Sequence, residues 1–347
     1  MTFPFNVYLI TALTALLIAV LSLPLWRRWC LRRGLVDEPG HRKIHDKPVP
    51  LAGGLTVITA LLVPTLIAAC ALWWNGTGVA HFPEAVARIL QSFGLLPQFD
   101  ANTTYLLRYG LGRRAAELAG ILVGAVGMLL VGLLDDKKEL RPAAKFTGQW
   151  VIAALVAASG VRITLFVHNQ LFHYGITILW VLAVINAFNF MDNMNGLCAG
   201  LGAIGAWYFG VVAAAEGQYL VALIAFLTLG ALLGFLPYNF PKARAFLGDA
   251  GSHLVGYLLA VLAILPHFYT TSHPRHWAVL IPLLVLGVPL LDMAWVVGLR
   301  WRKGQPFYIG DTNHLSHRLV RAGLTRTQAV LLIWLMAAVL GGVVYLF

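Results

Sequence analysis

The sequence predicts an all-α polytopic membrane protein of about ten transmembrane helices, a single domain over residues 1–347 with a groove for chemistry on its inner face. Three observations predict it. Only 11% of the residues are charged and 59% are hydrophobic, with a mean hydropathy of +0.78. A soluble domain carries about 25% charged residues, so a water-facing surface of this size could not be covered. The apolar residues fall in runs long enough to cross a hydrocarbon core of about 30 Å. The scarce charges are sorted to one side of those runs.

The first run, 5–25, has no basic residue before it and Arg27, Arg28, Arg32 and Arg33 after it. This reverses the charge order of a signal peptide, so a retained span with its N-terminus outside is expected. The following runs are 51–74, 115–134, 143–160, 174–191, 197–215, 219–236, 251–268, 277–298 and 328–346. Ten spans return the C-terminus outside and leave the loops 26–50, 135–145, 192–196, 237–250 and 299–327 inside. Those loops hold 19 of the 25 Lys and Arg residues, as the positive-inside rule requires of a cytoplasmic face. The expected location is therefore a cell's inner (plasma) membrane. Nine of the 14 acids share the loops and Asp292 lies beside one. Acids have little topological preference, so their grouping points to chemistry on the cytoplasmic face. Segment 75–114 reads as an outer loop. Cys30, Cys70 and Cys198 have no disulfide or zinc spacing. The net charge of +11 is assigned to topology and anionic headgroups, with no nucleic acid as partner.

Five inner segments hold residues suited to phosphate and metal chemistry. In 37–54, Arg42, Lys43, His45 and Lys47 adjoin a proline-stiffened turn, and Gly53-Gly54 opens a span where backbone N–H groups lack helical partners. Such a loop suits phosphate oxygens, although it also serves as a positive-inside anchor. Asp135 and Asp136 end the third span; adjacent carboxylates repel, so a cation, a lysine or a shared proton is expected between or beside them. Asn186, Asn189, Asn193 and Gly196 follow helical spacing with Asp192 at the edge, more amides than interhelical bonding needs. Asp249 lies between glycines at a span's start, a placement open to an Mg²⁺ ligand or a helix cap, and Phe246 nearby could stack on a flat ring. His314, His317 and Arg318 lie on one side of a short helix and could meet a diphosphate.

Together these segments resemble the polyprenyl-phosphate N-acetylhexosamine-1-phosphate transferase family, glycosyltransferase family 4, in the branch that starts lipopolysaccharide and teichoic-acid-type glycans of the cell wall and envelope. The resemblance covers residues 34–319. It rests on Arg42-Lys43-x-His45 with Pro50-x-x-Gly53-Gly54, Asp135-Asp136, Asn186-x-x-Asn189-x-x-Asp192, Gly248-Asp249-x-Gly251-Ser252, and Pro306-Phe307 followed by Asp311-x-x-His314-Leu315-x-His317-Arg318-Leu319. It implies transfer of a sugar 1-phosphate from a UDP-N-acetylhexosamine such as UDP-GlcNAc to undecaprenyl phosphate, with release of UMP and with Mg²⁺ or Mn²⁺ present. It implies Asn189 and Asp249 as metal ligands, and catalytic roles for Asp135, Asp136, Asp192, His314 and His317, with Asp135 or Asp136 as the base. Arg42, Lys43, His45, Lys47, Asn186, Asn193, Asn195, Phe246 and Arg318 are the expected substrate contacts.

Three positions depart from the family's usual pattern: Asn193 stands in place of Gly, Asn195 in place of Asp, and Ser316 in place of His. They bear on sugar specificity. The relative that takes UDP-MurNAc-pentapeptide is an alternative but looks less similar, because its loop carries a run of histidines followed by Phe-Glu. A secondary transporter or lipid flippase would place ionisable residues near the midplane on two repeated halves, and no repeat is visible. The Asp-rich signature of alcohol phosphotransferases is absent. A homodimer is left open by the sequence.

Overall fold

The computed structural model describes residues 5–39, 47–76, 109, 112, 114–165, 167–266, 276–308 and 311–346. Arg42, Lys43 and His45, and nearly all of the outer segment 75–114, lie outside the described residues. Each of the ten apolar runs overlaps a helix or helix pair among the described residues. In chain order these are α1 (Phe5–Arg33), α2 (Gly53–Gly76), α3 (Ala115–Lys138), α4 (Pro142–Ala158), α5 (Gln170–Met191), α6 (Leu197–Ala215), α7 (Tyr219–Asn239), α8 (Gly248–Ile264), the broken pair α9 (Ile281–Val285) and α10 (Gly287–Arg302), then the short α11 (Leu315–Arg321) and α12 (Arg326–Gly342).

Seven of these helices are long and apolar enough to cross a membrane, and the bent pair makes an eighth. The chain is thus a multi-pass helical membrane protein. At 17 residues, α4 and α8 reach only about 25 Å each at 1.5 Å per residue, which is why the count falls short of ten by length. α1 departs in the other direction. Its 29 residues carry the helix about 12 Å beyond the apolar run, so Arg27 to Arg33 continue a helix where a loop was expected. Beyond it, β1 (Val36–Asp37) pairs antiparallel with β2 (Val49–Pro50), a small ladder that closes the 26–50 connection.

The predicted ninth span is broken, with a bend of 68° between its halves. Pro289 supplies the cause: it has no N–H to give the Val285 carbonyl, and its ring clashes with that turn, while Gly287 adds freedom at the break. The bend directs α10, and Asp292 on it, toward the segment that begins at Asp311.

α8 is the hub. It packs against α2, α3, α5 and α6, and all of Ala250 to Ala263 is buried. Its first turn is approached backbone to backbone. A Cβ on Gly132 would stand 2.4 Å from the Ala250 Cα and the Asp249 carbonyl oxygen, and one on Gly54 would stand 2.7 Å from the Gly251 nitrogen. The Gly53 N–H, expected to be available to phosphate, donates instead to the Phe246 carbonyl at 3.0 Å, and Phe246 N–H returns a bond to Pro50. These contacts set the start of α8 against α2 and α3. Gly132→Ala is expected to destabilise the detergent-solubilised protein by about 1–3 kcal/mol, the cost of overpacking a closed contact. A melting temperature equal to the parent's would show that α3 can move aside.

Candidate active site

Up-and-down connectivity brings the C-terminal ends of α3, α5 and α7 and the N-terminal ends of α4, α6 and α8 to one end of the bundle. The predicted acids meet there. Asp135 and Asp136 point different ways, because successive helical residues are rotated by about 100°. Asp136 reaches across to α8, where its two oxygens accept the N–H groups of Asp249 and Ala250 at 2.7 and 3.0 Å. It caps the positive end of α8 from another helix. The cap role that local sequence offered to Asp249 is therefore filled by Asp136, and Asp249 keeps its carboxylate for other partners.

Asp135 is buried and accepts the Leu140 N–H at 2.9 Å. Its other oxygen is 2.7 Å from the ammonium of Lys145, on the first turn of α4. The same ammonium is 3.4 Å from Asp249 Oδ2 and 3.4 Å from Asn189 Oδ1. Asn189 in turn donates to Asp249 Oδ1 at 2.5 Å and to Ser252 at 2.9 Å. Three oxygens from three helices thus converge on one cation. Sequence reasoning expected a lysine, a metal or a proton beside the paired acids but did not single out Lys145. The signal was its place in the inner loop 135–145, just after Pro142 starts a helix.

The oxygen donors also fit a divalent metal. Asp249, Asn189 and Asp135 offer hard oxygens suited to Mg²⁺ or Mn²⁺, and a ring nitrogen of the buried His253 lies within 4.8 Å of carboxylate oxygens of Asp135 and Asp249. His253 went unassigned from sequence. Its Nε2 is 3.4 Å from the Gln149 amide, and Gln149 accepts from Asn186 at 2.9 Å. Asn186 is therefore committed to this internal chain.

Asp192 follows the last residue of α5 and makes no side-chain hydrogen bond or ion pair among the described residues. Burial, and then the charges of Asp249, Asp136 and Asp37, push its carboxyl well above the ordinary carboxylate range. The helical spacing carried past Asp192 does not hold. α5 ends at Met191, and the Asn193 side chain folds back to donate to the Phe190 carbonyl at 2.6 Å. Gly196, at φ +78°, donates its N–H to Asn239 and starts α6. Asn195 donates to the Pro241 carbonyl at 3.1 Å.

The histidine segment docks beside this cluster. His314 is buried, its Nδ1 2.7 Å from Asp292 and its ring edge-on to Phe190, the residue after Asn189. Ser316 is fully buried and donates to Asn193 at 2.7 Å, so two of the departures from the family pattern touch each other. Arg300 holds the segment from below: it pairs with Asp311 at 2.8 Å, bonds the Phe307 carbonyl and lies over Phe190. Burial alone would raise the Asp311 carboxyl. The hydrogen bonds from Arg300 and the Asn313 N–H, with the Arg300 charge, outweigh it and hold the group below its ordinary range. Burial, then the charges of His314, Arg326 and Arg321, lowers His317, which is half-buried. Arg318 is exposed over Trp295, Lys47 is exposed before β2, and Phe246 is half-buried beside Asp249.

The chain is similar to known proteins over most of its length. The family model described as glycosyl transferase family 4 matches residues 118–267, which include Asp135, Asp136, Lys145, Asn189, Asp192 and Asp249. A Bacillus subtilis protein named "Probable undecaprenyl-phosphate N-acetylglucosaminyl 1-phosphate transferase" is 30% identical over 336 residues, covering 94% of this chain and 80% of that protein. The decaprenyl-phosphate N-acetylglucosaminephosphotransferase of Mycolicibacterium smegmatis is 30% identical over 363 residues, covering 97% and 81%. The undecaprenyl-phosphate alpha-N-acetylglucosaminyl 1-phosphate transferase of Yersinia pestis is 29% identical over 320 residues, covering 90% and 77%.

Proposed function

Because the chain belongs to glycosyl transferase family 4, we propose that it moves N-acetylglucosamine 1-phosphate from UDP-N-acetylglucosamine to undecaprenyl phosphate, releasing UMP and starting a lipid-linked envelope glycan. The observation that carries this reading is the meeting of Asp135, Asn189 and Asp249 around one cation at the end of a membrane bundle. Two phosphorylated substrates, one soluble and one lipid-borne, must meet at such a place.

In the reaction an acceptor phosphate oxygen attacks the β-phosphorus of the donor. The bond from that phosphorus to the bridging oxygen breaks, and UMP leaves with the bonding electrons. A proton on the acceptor phosphate passes to Asp192 in its ionised form, which burial and the neighbouring acids make a stronger base than an ordinary carboxylate, whereas Asp135 and Asp136 are engaged by Lys145 and by the α8 N–H groups. Asp249 and Asn189, with Asp135 beside them, would hold Mg²⁺ or Mn²⁺, which neutralises diphosphate charge when bound. Lys145 supplies a further positive charge to the transferring phosphate. His314 and His317 face the diphosphate and sugar, and Arg42, Lys43, His45 and Lys47 screen the incoming phosphates.

An open surface depression of about 320 Å³ on α4 and α5 is lined by Phe146, Thr147, Trp150 and Leu182, with Phe146 next in sequence to Lys145. Its apolar lining suits the polyprenyl chain and would bring the acceptor phosphate to Lys145. The sorted charges support an active end facing the cytoplasm of an inner membrane, with both termini outside.

The deciding assay combines purified protein in nanodiscs, undecaprenyl phosphate, UDP-N-acetylglucosamine and Mg²⁺, and measures UMP. Release dependent on both substrates is expected. No UMP from any UDP-N-acetylhexosamine would overturn the donor assignment.

A further inference from the structure

We infer that Asp292 is a positioning residue that fixes the tautomer and direction of His314, presenting the ring's Nε2 to the reaction; its functional half rests on the transferase reading above. Asp292 is 5% exposed, on α10 just beyond the break that turns this helix by 68°. Both of its oxygens are used. Oδ2 is 2.7 Å from His314 Nδ1, and Oδ1 accepts the Leu315 N–H at 2.6 Å. One carboxylate therefore grips a ring and the backbone of the next residue, which sets the ring's place and its rotation together. An ionised carboxylate can only accept, so Nδ1 carries the proton and the lone pair of neutral His314 is left on Nε2.

The remaining contacts agree with that orientation. The Phe190 ring holds His314 edge-on at 5.4 Å, and Phe190 is one residue from Asn189. Nε2 makes no hydrogen bond among the described residues and is not one of the buried side-chain atoms lacking a partner, so it reaches solvent-accessible space. When protonated, the ring offers that space an N–H whose charge Asp292 balances. A purely architectural role, holding the start of α11, would need only the bond to Leu315.

Asp292→Asn separates the two roles. The amide oxygen can still accept from Leu315 N–H, but its NH₂ then faces Nδ1, which must accept, and the ring proton moves to Nε2. The variant is expected to melt with the parent and to lose on the order of 10²- to 10³-fold in kcat, because a ring without its carboxylate counter-ion no longer presents a charged N–H to the diphosphate, with little change in KM. In a His314→Gln background the same substitution is expected to cost almost nothing more, because Asp292 acts through the ring. Selective ¹⁵N-histidine NMR reads the tautomer directly, with His314→Gln supplying the assignment: Nδ1–H in the parent and Nε2–H in Asp292→Asn. Parent-like kcat in Asp292→Asn, an equal loss in the His314→Gln background, or an Nε2–H tautomer in the parent would each overturn the inference. If Asp292→Asn does not fold, the parent's tautomer decides. If the parent releases no UMP, the transferase reading fails while the spectrum still judges the clamp.

Discussion

Asp249→Asn is expected to abolish UMP release, by at least about 10³-fold in kcat/KM or roughly 4 kcal/mol of transition-state stabilisation, while leaving the protein folded. Asp249 stands in the first turn of α8, its carboxylate bonded by Asn189 and close to the Lys145 ammonium, and among the described residues no backbone N–H donates to its side chain. The amide would keep one oxygen and lose the charge that a divalent cation and Lys145 both read. Stability should hold or rise. Asp136 and Asp192 lie close enough to feel the charge of Asp249, and removing one negative charge relieves their repulsion. Thermal melting and turnover of the same preparation check both halves. A collapse in melting temperature alongside the lost turnover would assign Asp249 to architecture instead.

The sorting of charge was legible in the sequence because membrane proteins place few charges and each has a cause. Asp135, Asp136, Asp192 and Asp249 do meet at one end of the bundle, as their loop positions implied, and Asn189 joins them from the end of its span. What was not legible is how two adjacent acids divide. Asp135 meets a lysine and Asp136 caps a distant helix, and that division follows from the rotation of α3 against α4 and α8. Helical spacing misled where the helix stopped. Asn193 and Gly196 fit a periodic face on paper, yet α5 ends at Met191, the Asn193 side chain bonds the Phe190 carbonyl, and Gly196 turns at φ +78° to start α6. The break at Leu286 had its signal in Pro289 and Gly287, but an apolar run hides a bend because burial does not require straightness. His253, Gln149 and Asp292 matter through partners more than twenty residues away, and local sequence carries no trace of such pairing.

Lys145→Met is the sharpest test of the cation site, because it is expected to move turnover and metal affinity in opposite directions. The ammonium is 2.7 Å from Asp135, 3.4 Å from Asp249 and 3.4 Å from Asn189 Oδ1, with the lysine 17% exposed. It competes for oxygens that a divalent ion would use, so its removal should tighten Mn²⁺ binding by about 10-fold, the effect of one unit charge in a partly buried setting. The same removal deprives the transferring phosphate of a positive partner and should lower kcat by about 10²-fold or more. In metal-free buffer the variant should also melt lower. Three acceptors lose their shared cation there, at a cost of about 1–3 kcal/mol, less than for a fully buried pair because Asp249 is 32% exposed. Added Mg²⁺ should restore more stability to the variant than to the parent, since binding to the folded state alone stabilises it. Mn²⁺ titration by electron paramagnetic resonance, with melting curves in chelator and in Mg²⁺, tests the competition without turnover. Weaker Mn²⁺ binding in Lys145→Met would mean that the lysine organises the metal's oxygens instead of competing for them, and the cation-exchange account of this site would fall.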